Sequence, residues 1–375
     1  MSTLKVDAIV DKDSGNTTTI NGTTIGPNLS ISSHNTRGKN IVINGGMEVS
    51  QRNGGTAVTP TSDQTYTLDR FSARLSVASK YSVQQVADGP SGFYNSLKVT
   101  SAAATTPGTN DYYQINTPIE GYFTNKLAQG SSAAKQFTLS FYVKSSLTGT
   151  FGGAYSNNAG NKFYAWTYTI NSANTWERKS ITITGSTDGS WESTTSAGLW
   201  VYWTLGAGSG QQASPGSWST TFKRGPTGAT NVVATSGATW QITGVQLELG
   251  DAATEFEHES IDVSLYKCQR YYQVIVHGSG DRVGTGGYYG SSGVQFPIRF
   301  NPVMRASPTI VTATGSNYWT VNGNGNDFLN SVTLDNATTR SMSVYNSSEA
   351  SGTAGYHGIL VTGNANSYLH AKAEL

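Results

Sequence analysis

Hydrophobic residues in this chain recur mostly at every second position, in short runs separated by clusters of Gly, Ser, Thr and Asn. Residues 245–249 are a clear example, since Val245, Leu247 and Leu249 alternate with Gln246 and Glu248. A period of two predicts half-buried β-strands, and many such runs at short spacing indicate a β-sandwich. Before residue 259 the predicted strands are 41–43, 70–77, 81–85, 96–100, 112–115, 136–144, 163–170, 177–184, 199–205 and 240–249.

A single helical run follows the last of these strands. Ile261, Leu265, Cys268 and Tyr272 are spaced four, three and four residues apart, which predicts one buried face of a short helix. Alternation then returns in a second β region, where Pro297 predicts an edge strand because proline has no N–H to donate to a neighbour. Gly- and Asn-rich loops are predicted at 278–293 and 322–326. The predicted strands of this region are 294–300, 309–313, 331–334, 341–345, 358–361 and 370–375.

Residues 1–37 have a different pattern. Two Thr-Thr-Ile units flank Asn21-Gly22, which predicts a β-hairpin with a two-residue turn. A lone hairpin buries too little apolar surface to be stable. We therefore expect the same segment of sister chains to cover its apolar side chains about a threefold axis, and the alternative is a flexible tail. These side chains are Leu4, Val6, Ile9, Ile20 and Ile25.

Composition agrees with an all-β chain of several domains. Charged residues make up 13% and aromatic residues 11% of the 375 residues, and there are 43 glycines, which is typical of many strands joined by turns. The net charge is +1 and the longest basic group is Lys223-Arg224, so we expect no nucleic-acid partner. We expect no membrane insertion either, because no run of eighteen apolar residues occurs. The first residues lack the apolar core of a signal peptide, which predicts synthesis in a cytoplasm.

Candidate catalytic and metal-binding chemistry is sparse. The five histidines are dispersed and Cys268 is the sole cysteine, so the sequence predicts neither a zinc site nor an internal disulfide. Glycoside cleavage would need a pair of carboxylates about 5–10 Å apart. Alternation turns Glu248 away from the core, which favours a solvated strand edge over a catalytic pair. We expect no enzyme activity and no cofactor, and the sequence assigns no metal-ligand residues. The candidate carboxylates are Glu248, Asp251, Glu255, Glu257 and Glu259.

Several segments resemble the tail fibre proteins of tailed bacteriophages. Residues 240–257, with the run Gln246-Leu-Glu-Leu-Gly-Asp-Ala-Ala-Thr-Glu-Phe-Glu257, are similar to the strand that closes a carbohydrate-binding-module-like jelly roll in that group. Residues 40–52 resemble its opening strand and Gly-Gly turn, and Cys268-Gln-Arg-Tyr-Tyr272 resembles the start of its C-terminal domain. Residues 294–300 and 304–309 resemble a later pair of motifs. Together these matches bracket roughly residues 38–310.

The resemblance implies a structural virion protein, a homotrimeric tail fibre that is made in the host cytoplasm and binds a host cell-surface polysaccharide. Residues 1–37 would attach it to a tail adaptor, nozzle or baseplate protein. Residues 38–258 would form the jelly roll and residues 259–375 a receptor-binding β-sandwich. Two alternatives stay open, namely a polysaccharide depolymerase and a purely structural spacer or adaptor.

Aromatic residues supply the candidate binding sites, because sugar C–H faces stack on aromatic rings. In the C-terminal region, rings among Gly- and Asn-rich sequence favour a glycan-binding role. In the sandwich, Trp200 and Tyr202 alternate with Leu199, Val201 and Trp203, and the sequence leaves open which set faces the core. The predicted receptor-binding residues are Tyr288, Tyr289, Tyr318, Trp319, Tyr356 and His357.

Overall fold

The computed structural model describes residues 38–323 and 325–375, together with the backbone of Thr18–Ile20 and Thr23–Ile25. The chain forms an all-β fold, which confirms the predicted class. It divides into two compact units, Met1–Lys39 and Asn40–Leu375. The predicted division at residue 258 within the second unit stays a prediction. In the described ranges no helix is long and apolar enough to cross a lipid bilayer.

The first unit contains the predicted hairpin. With strands numbered in chain order, β1 (Thr18–Ile20) pairs antiparallel with β2 (Thr23–Ile25), and Ile20 lies opposite Thr23. Asn21 and Gly22, the predicted turn, and Leu4, Val6 and Ile9 lie outside the described residues. The proposed contacts of Ile20 and Ile25 with sister chains stay a prediction.

Two antiparallel sheets form a sandwich in the first part of the second unit. Nine of the ten strands predicted there are present, most of them with shifted ends. In spatial order the first sheet contains β14 (Trp218–Ser219), β10 (Phe163–Ile170), β9 (Gly149–Ser156), β12 (Ala197–Ala207), β7 (Tyr112–Glu120), β4 (Phe71–Leu75) and β3 (Thr65–Leu68). The second contains β11 (Glu177–Ile183), β8 (Phe137–Ser145), β16 (Thr239–Leu249), β6 (Ser96–Ser101) and β5 (Tyr81–Val86). A parallel pair, β13 (Gln212–Ala213) and β15 (Gly225–Pro226), and helix α1 (Gly121–Thr124) lie in its connections.

One aromatic-rich core lies between the two sheets. Trp203 on β12 meets Phe141 on β8 edge to face, with ring centroids 5.9 Å apart. Leu199, Val201, Trp203 and Leu205 are fully buried in this core. Because side chains alternate along a strand, Trp200 and Tyr202 lie on the outer face of the seven-stranded sheet. The structure thereby decides the question that the sequence left open.

The predicted strand at 41–43 is wrong. Ile41 and Val42 are buried, but the chain turns here instead of joining a sheet. Asn40 accepts a hydrogen bond from Val42 N (3.0 Å), and the Asn44 side chain bonds to both backbone groups of Val49 (2.9 Å). Asparagine side chains compete with a sheet for backbone groups in this way. Burial made the segment look like a strand.

Strand β9 was not predicted because its sequence is rich in glycine. A Cβ on Gly153 would lie 1.9 Å from the Tyr202 carbonyl oxygen and 2.4 Å from the Trp166 ring. Glycine at this position therefore lets the Trp166 ring lie against the sheet. The glycines of β9 are therefore explained by the packing of a neighbouring ring against the sheet, not by an alternation of apolar and polar residues.

A second core fills the C-terminal β region. Its strands form a three-stranded and a seven-stranded sheet, and Trp319, Phe296 and Leu360 are fully buried between them. The small sheet contains β17 (Tyr272–His277), β26 (Tyr368–Lys372) and β20 (Thr309–Thr312). The large sheet contains, in spatial order, β22 (Gly325–Leu329), β21 (Trp319–Gly323), β25 (His357–Thr362), β18 (Arg282–Tyr288), β19 (Val294–Arg299), β24 (Ser341–Asn346) and β23 (Thr333–Ala337).

Pro297 does not mark an edge strand, so that prediction is wrong. Strand β19 lies between β18 and β24, but its pairing with β18 covers only Val294 and Gln295. Phe300 N donates to Arg340 O on the β24 side, so alternation directs Pro297 towards the β18 side, beyond the end of that pairing. The missing N–H thus costs no ladder bond.

The joining helix α2 (Ile261–Gln269) is present. Its buried residues are Ser264 and Cys268, while Leu265 is half-buried and Ile261 is 49% exposed. Tyr272 is buried as the first residue of β17. The predicted helix is therefore confirmed, but within this chain Ile261 is not part of a buried face.

Buried charges connect the sandwich to the C-terminal β region. Arg70, in the turn between β3 and β4, pairs with Glu374, and Arg52 pairs with the same carboxylate at 2.8 Å. The Arg70 guanidinium lies 3.5 Å from the centroid of the Tyr271 ring. Glu120, fully buried at the end of β7, accepts hydrogen bonds from Arg270 Nε and Nη2 (2.8 and 2.9 Å). Arg270 and Tyr271, which belong to the Cys268–Tyr272 motif, therefore hold the C-terminal β region against the sandwich.

Candidate functional site

The structure brings together four of the six predicted receptor-binding residues. Tyr288 ends β18 and Tyr289 follows it, while Tyr356 directly precedes and His357 begins the neighbouring β25. Tyr288 N donates to Tyr356 O at 2.9 Å. Tyr289 and Tyr356 are 55% and 54% exposed, and His357 is also exposed. We call Tyr288, Tyr289, Tyr356 and His357 the C-terminal aromatic patch, and its binding role stays a prediction.

Tyr288 has a fixed position within this patch. It is half-buried, and its hydroxyl donates to Asp327 Oδ2 at 3.2 Å. Burial, together with the nearby Asp327 carboxylate, raises the pKa of Tyr288 to about 12. The hydroxyl is therefore a neutral donor at physiological pH.

Tyr318 and Trp319 lie at the other end of β25. Trp319 pairs with Thr362, five residues from His357, which is about 17 Å along a strand. Trp319 is fully buried, its Nε1 donates to Ala313 O (3.3 Å), and Tyr318 packs half-buried against the same core. The prediction that Trp319 lies on a binding surface is wrong. Its sequence neighbours are polar, but it starts a strand whose register places the ring inside.

A second aromatic surface lies on the outer face of the sandwich. Trp200 is half-buried and stacks on Tyr202, with centroids 6.2 Å apart and planes 15° apart. Trp200 Nε1 donates to Asn158 Oδ1 at 3.3 Å, which fixes the orientation of the indole. A half-buried tryptophan held on a neighbouring ring can offer its remaining face to a ligand.

An ion pair lies beside these rings. Arg74, on β4, has its guanidinium carbon 5.9 Å from the Trp200 ring centroid. Its Nε and Nη2 donate to the two oxygens of Asp63, each at 2.9 Å, and Leu75 N also donates to Asp63 at 2.9 Å. Burial opposes ionisation of Asp63, but the hydrogen bonds and charge of Arg74 outweigh it and hold the pKa of Asp63 below its usual value. The Asp63 side chain is 37% exposed, so an ionised acceptor faces solvent.

Buried polar side chains lie next to these groups on the same face of the sheet. Asn116 lies opposite Tyr202 on one side and Ser72 on the other, and its Oδ1 accepts a hydrogen bond from Ser72 Oγ. Asn116 Nδ2 and Gln114 Oε1 are buried without a hydrogen-bond partner among the described residues. Such groups are rare in folded proteins because each costs about 1–3 kcal/mol. We call Asp63, Arg74, Asn116, Trp200 and Tyr202 the sheet-face site.

Residues 208–226, which we call the strap, cover part of this face. Phe222 of the strap lies 6.2 Å from Tyr202, and the Arg224 carbonyl accepts a hydrogen bond from Thr204 Oγ1 at 2.8 Å. The Arg224 guanidinium lies 4.0 Å from the Tyr112 ring centroid. The strap buries Tyr202, whereas Trp200 stays partly accessible. The sheet-face site is therefore open at Trp200.

The carboxylates considered for glycoside cleavage have structural contacts. Glu248 is only 3% exposed, and Thr254 N and Oγ1 donate to its two oxygens at 2.9 and 2.7 Å. The prediction of a solvated edge is wrong for Glu248, because residues that follow β16 fold back over it. Glu257 accepts from Asn40 N (2.9 Å), and Glu259 pairs with Lys267. Asp251 and Glu255 are exposed.

The described ranges contain no candidate metal centre. No cluster of three or more His, Cys, Asp or Glu side chains there could hold a metal ion.

Sequence reasoning missed Asp63, Arg74, Asn116 and Asn158. One signal was available for Arg74, since it alternates with the apolar Ala73 and Leu75, which predicts an outward side chain.

Comparison with known proteins gives only remote similarities. No family model matches the chain, and no curated protein matches it. Among solved structures, the enzymatically active domain of tailspike protein 4 of bacteriophage CBA120 aligns over 56% of this chain and 21% of that chain, with 14% identity and a TM-score of 0.31. The family 11 carbohydrate-binding module of a Clostridium thermocellum cellulase aligns over 53% and 98%, with 13% identity and a TM-score of 0.26. The xylan-binding domain of a Paenibacillus barcinonensis protein aligns over 54% and 99%, with 10% identity and a TM-score of 0.24. Alignments this weak establish neither a shared fold nor a function.

Proposed function

We propose that this chain is a non-enzymatic glycan-binding protein of a virion, and that a saccharide binds at the sheet-face site. The observation that carries the proposal is the half-buried Trp200, stacked on Tyr202 beside the Asp63–Arg74 pair. It combines a fixed aromatic ring with charged hydrogen-bonding groups on one accessible surface.

Each group has a role in this proposal. The C–H face of a sugar ring packs on the accessible side of Trp200. Asp63 accepts hydrogen bonds from sugar hydroxyls, and the N–H groups of Arg74 donate to ring or hydroxyl oxygens. Because Asp63 and Arg74 hold each other through two hydrogen bonds, little side-chain entropy remains to be lost on binding. The resulting contact is specific but weak for one chain.

The wider role follows from the motif resemblance of residues 38–310. We propose a homotrimeric tail fibre that attaches a phage to a host surface polysaccharide, with residues 1–37 bound to the tail and the C-terminal aromatic patch as a further contact with the host. Three linked chains would multiply a weak saccharide affinity by avidity. Within this proposal the protein acts outside the cell in which it is made.

An array of bacterial capsular and lipopolysaccharide glycans tests the proposal. The wild-type protein is expected to bind at least one glycan, and Trp200→Ala to bind the same glycan more weakly. Tyr94→Ala removes a ring that is 74% exposed elsewhere on the sandwich, and it serves as the matched control. A wild-type protein that binds no glycan would favour the spacer or adaptor alternative.

The depolymerase alternative needs a separate measurement. The purified protein is incubated with a glycan that it binds, and the chain length of the product is measured. The structural contacts of Glu248, Glu257 and Glu259 lead us to expect no shortening. Shortened chains would show that the protein is a depolymerase.

A further inference from the structure

A third aromatic surface lies at the edge of the sandwich, on strands β10 and β14 and the nearby loop. Tyr164 and Trp218 are cross-strand partners with ring centroids 5.3 Å apart, and Trp191 meets Trp218 edge to face at 5.6 Å. All three rings are half-buried. We call Tyr164, Trp191 and Trp218 the edge cluster.

Hydrogen bonds hold the two indoles in place. Trp218 Nε1 donates to Thr184 O at 2.7 Å, and Trp191 Nε1 donates to Asp188 O at 3.1 Å. Both polar tips are therefore satisfied by the backbone of one loop, and the parts of the rings that do not pack against the sandwich core are the remaining contact groups. Rings that are fixed before binding lose little entropy when a ligand stacks on them.

A groove opens beside the Tyr164 ring of this cluster. It has a volume of about 250 Å³, and Tyr164, Thr167, Ile181 and Pro215 line it between β10 and β11. Its lining residues carry no charge. Asp188, in the same loop as Trp191, pairs with Lys162 at 2.6 Å. The groove thus suits an uncharged ligand with apolar faces and a few hydroxyl groups.

The edge cluster is separate from the sheet-face site. Phe163 packs on the same outer face as Tyr202, so Tyr164, the next residue, lies on the opposite face. Three strand spacings, roughly 14 Å, separate β14 from β12, which carries Trp200. One short saccharide cannot stack on Trp200 and Trp218 together, but a long polysaccharide can pass from one site to the other around the edge.

We propose that the edge cluster is a second saccharide-binding site, specific for an uncharged hexose segment of the polysaccharide. The ligand class rests on the proposed function, whereas the location does not depend on the sheet-face site. One sandwich would then bind two segments of the same repeating chain. Two linked sites raise the affinity for a long chain above that for a short fragment.

Calorimetric titration with a short fragment tests this proposal. The probe is a tetrasaccharide of the uncharged hexose glycan that wild-type protein binds best on the array. Wild-type protein is expected to bind two tetrasaccharides per chain, and Trp200→Ala and Trp218→Ala are each expected to weaken one of the two binding events by roughly 2- to 13-fold. Against the full-length polysaccharide, each single variant is expected to lose at least about tenfold in affinity.

Controls separate binding from folding. Trp218→Phe keeps a ring and is expected to keep both sites, and Trp191→Ala provides a second variant if Trp218→Ala does not fold. Wild-type protein that binds one tetrasaccharide, with Trp218→Ala and Trp191→Ala unchanged, would overturn the edge site and leave the proposed function intact. Wild-type protein that binds no glycan at all would overturn both.

Discussion

Arg70 and Glu374, 304 residues apart in the chain, form an ion pair in which the side chains are only 2% and 3% exposed. Arg52 shares the same carboxylate, and the Tyr271 ring covers the Arg70 guanidinium. A buried charge is costly unless a partner compensates it. The pair therefore favours one arrangement of the sandwich against the C-terminal β region.

Removal of the Glu374 charge tests this relationship. Glu374→Gln leaves two guanidinium groups beside a neutral amide, and we expect a loss of about 3–5 kcal/mol in the free energy of unfolding. Urea denaturation provides the measurement. Glu192→Gln, an exposed acid, is the control and should change stability by less than about 0.5 kcal/mol. Equal effects of the two changes would show that the buried pair has no special weight.

The second prediction concerns acid stability. Burial first, and then the nearby His277 and Arg52, lower the pKa of His370 to about 4. Its pKa in the unfolded chain is about 6.5, so between these values the unfolded chain holds a proton that the folded chain does not. The stability contributed by neutral His370 is complete above about pH 6.5 and declines as the pH falls to about 4.

His370→Gln should remove this dependence. Urea midpoints measured from pH 7 to pH 4 are expected to fall less steeply in the variant than in the wild type, by the equivalent of one proton. His357→Gln, a change at an exposed histidine, is the control. Identical slopes for wild type and His370→Gln would contradict the lowered pKa.

The third prediction concerns the C-terminal aromatic patch. The double variant Tyr289→Ala, Tyr356→Ala removes two exposed rings and is expected to weaken adsorption to host cells without a change in melting temperature. Trp319→Ala should instead destabilise the fold by about 3–5 kcal/mol, because it empties a core position. Normal adsorption by the folded double variant would remove the patch from the host contact.

The fourth prediction concerns assembly. The full-length chain should have a light-scattering mass near three times 39.7 kDa. Deletion of residues 1–37 should weaken the trimer, since apolar side chains of that segment are predicted to be covered by sister chains. A full-length monomer that stays stable on dilution would show that the trimer proposal is wrong.

The alternation of apolar and polar residues correctly predicted the strands whose side chains alternate between the core and the outer face. Strand β10 (Phe163–Ile170) was predicted with its observed ends, and β11 within one residue. Strands β9 and β18 were missed because their glycines make room for neighbouring rings, as Gly286 does for Phe296, and this depends on the partner strand. The error at Ile41 has the opposite cause. Hydrophobic residues are buried there by turns that asparagine side chains stabilise, so their burial does not indicate a strand.

The candidate sites were only partly predictable for a related reason. Exposed aromatics in turns, such as Tyr289 and Tyr356, were recognised from their neighbours. The sheet-face site needs Asp63, from a turn before β3, to meet Arg74 on β4 beside Trp200 on β12. This contact depends on which strands are neighbours in the sheet, and the alternation pattern of the sequence does not predict that order.

Affinity of the Trp200→Ala variant for a bound glycan tests the central claim most directly. Calorimetric titration compares wild type, Trp200→Ala and the exposed control Tyr94→Ala, each with the array glycan that wild type binds best. We expect Trp200→Ala to weaken binding at its site by roughly 2- to 13-fold, the equivalent of one stacking ring, and Tyr94→Ala to bind as wild type does. A folded Trp200→Ala variant with unchanged affinity and stoichiometry would contradict the sheet-face site.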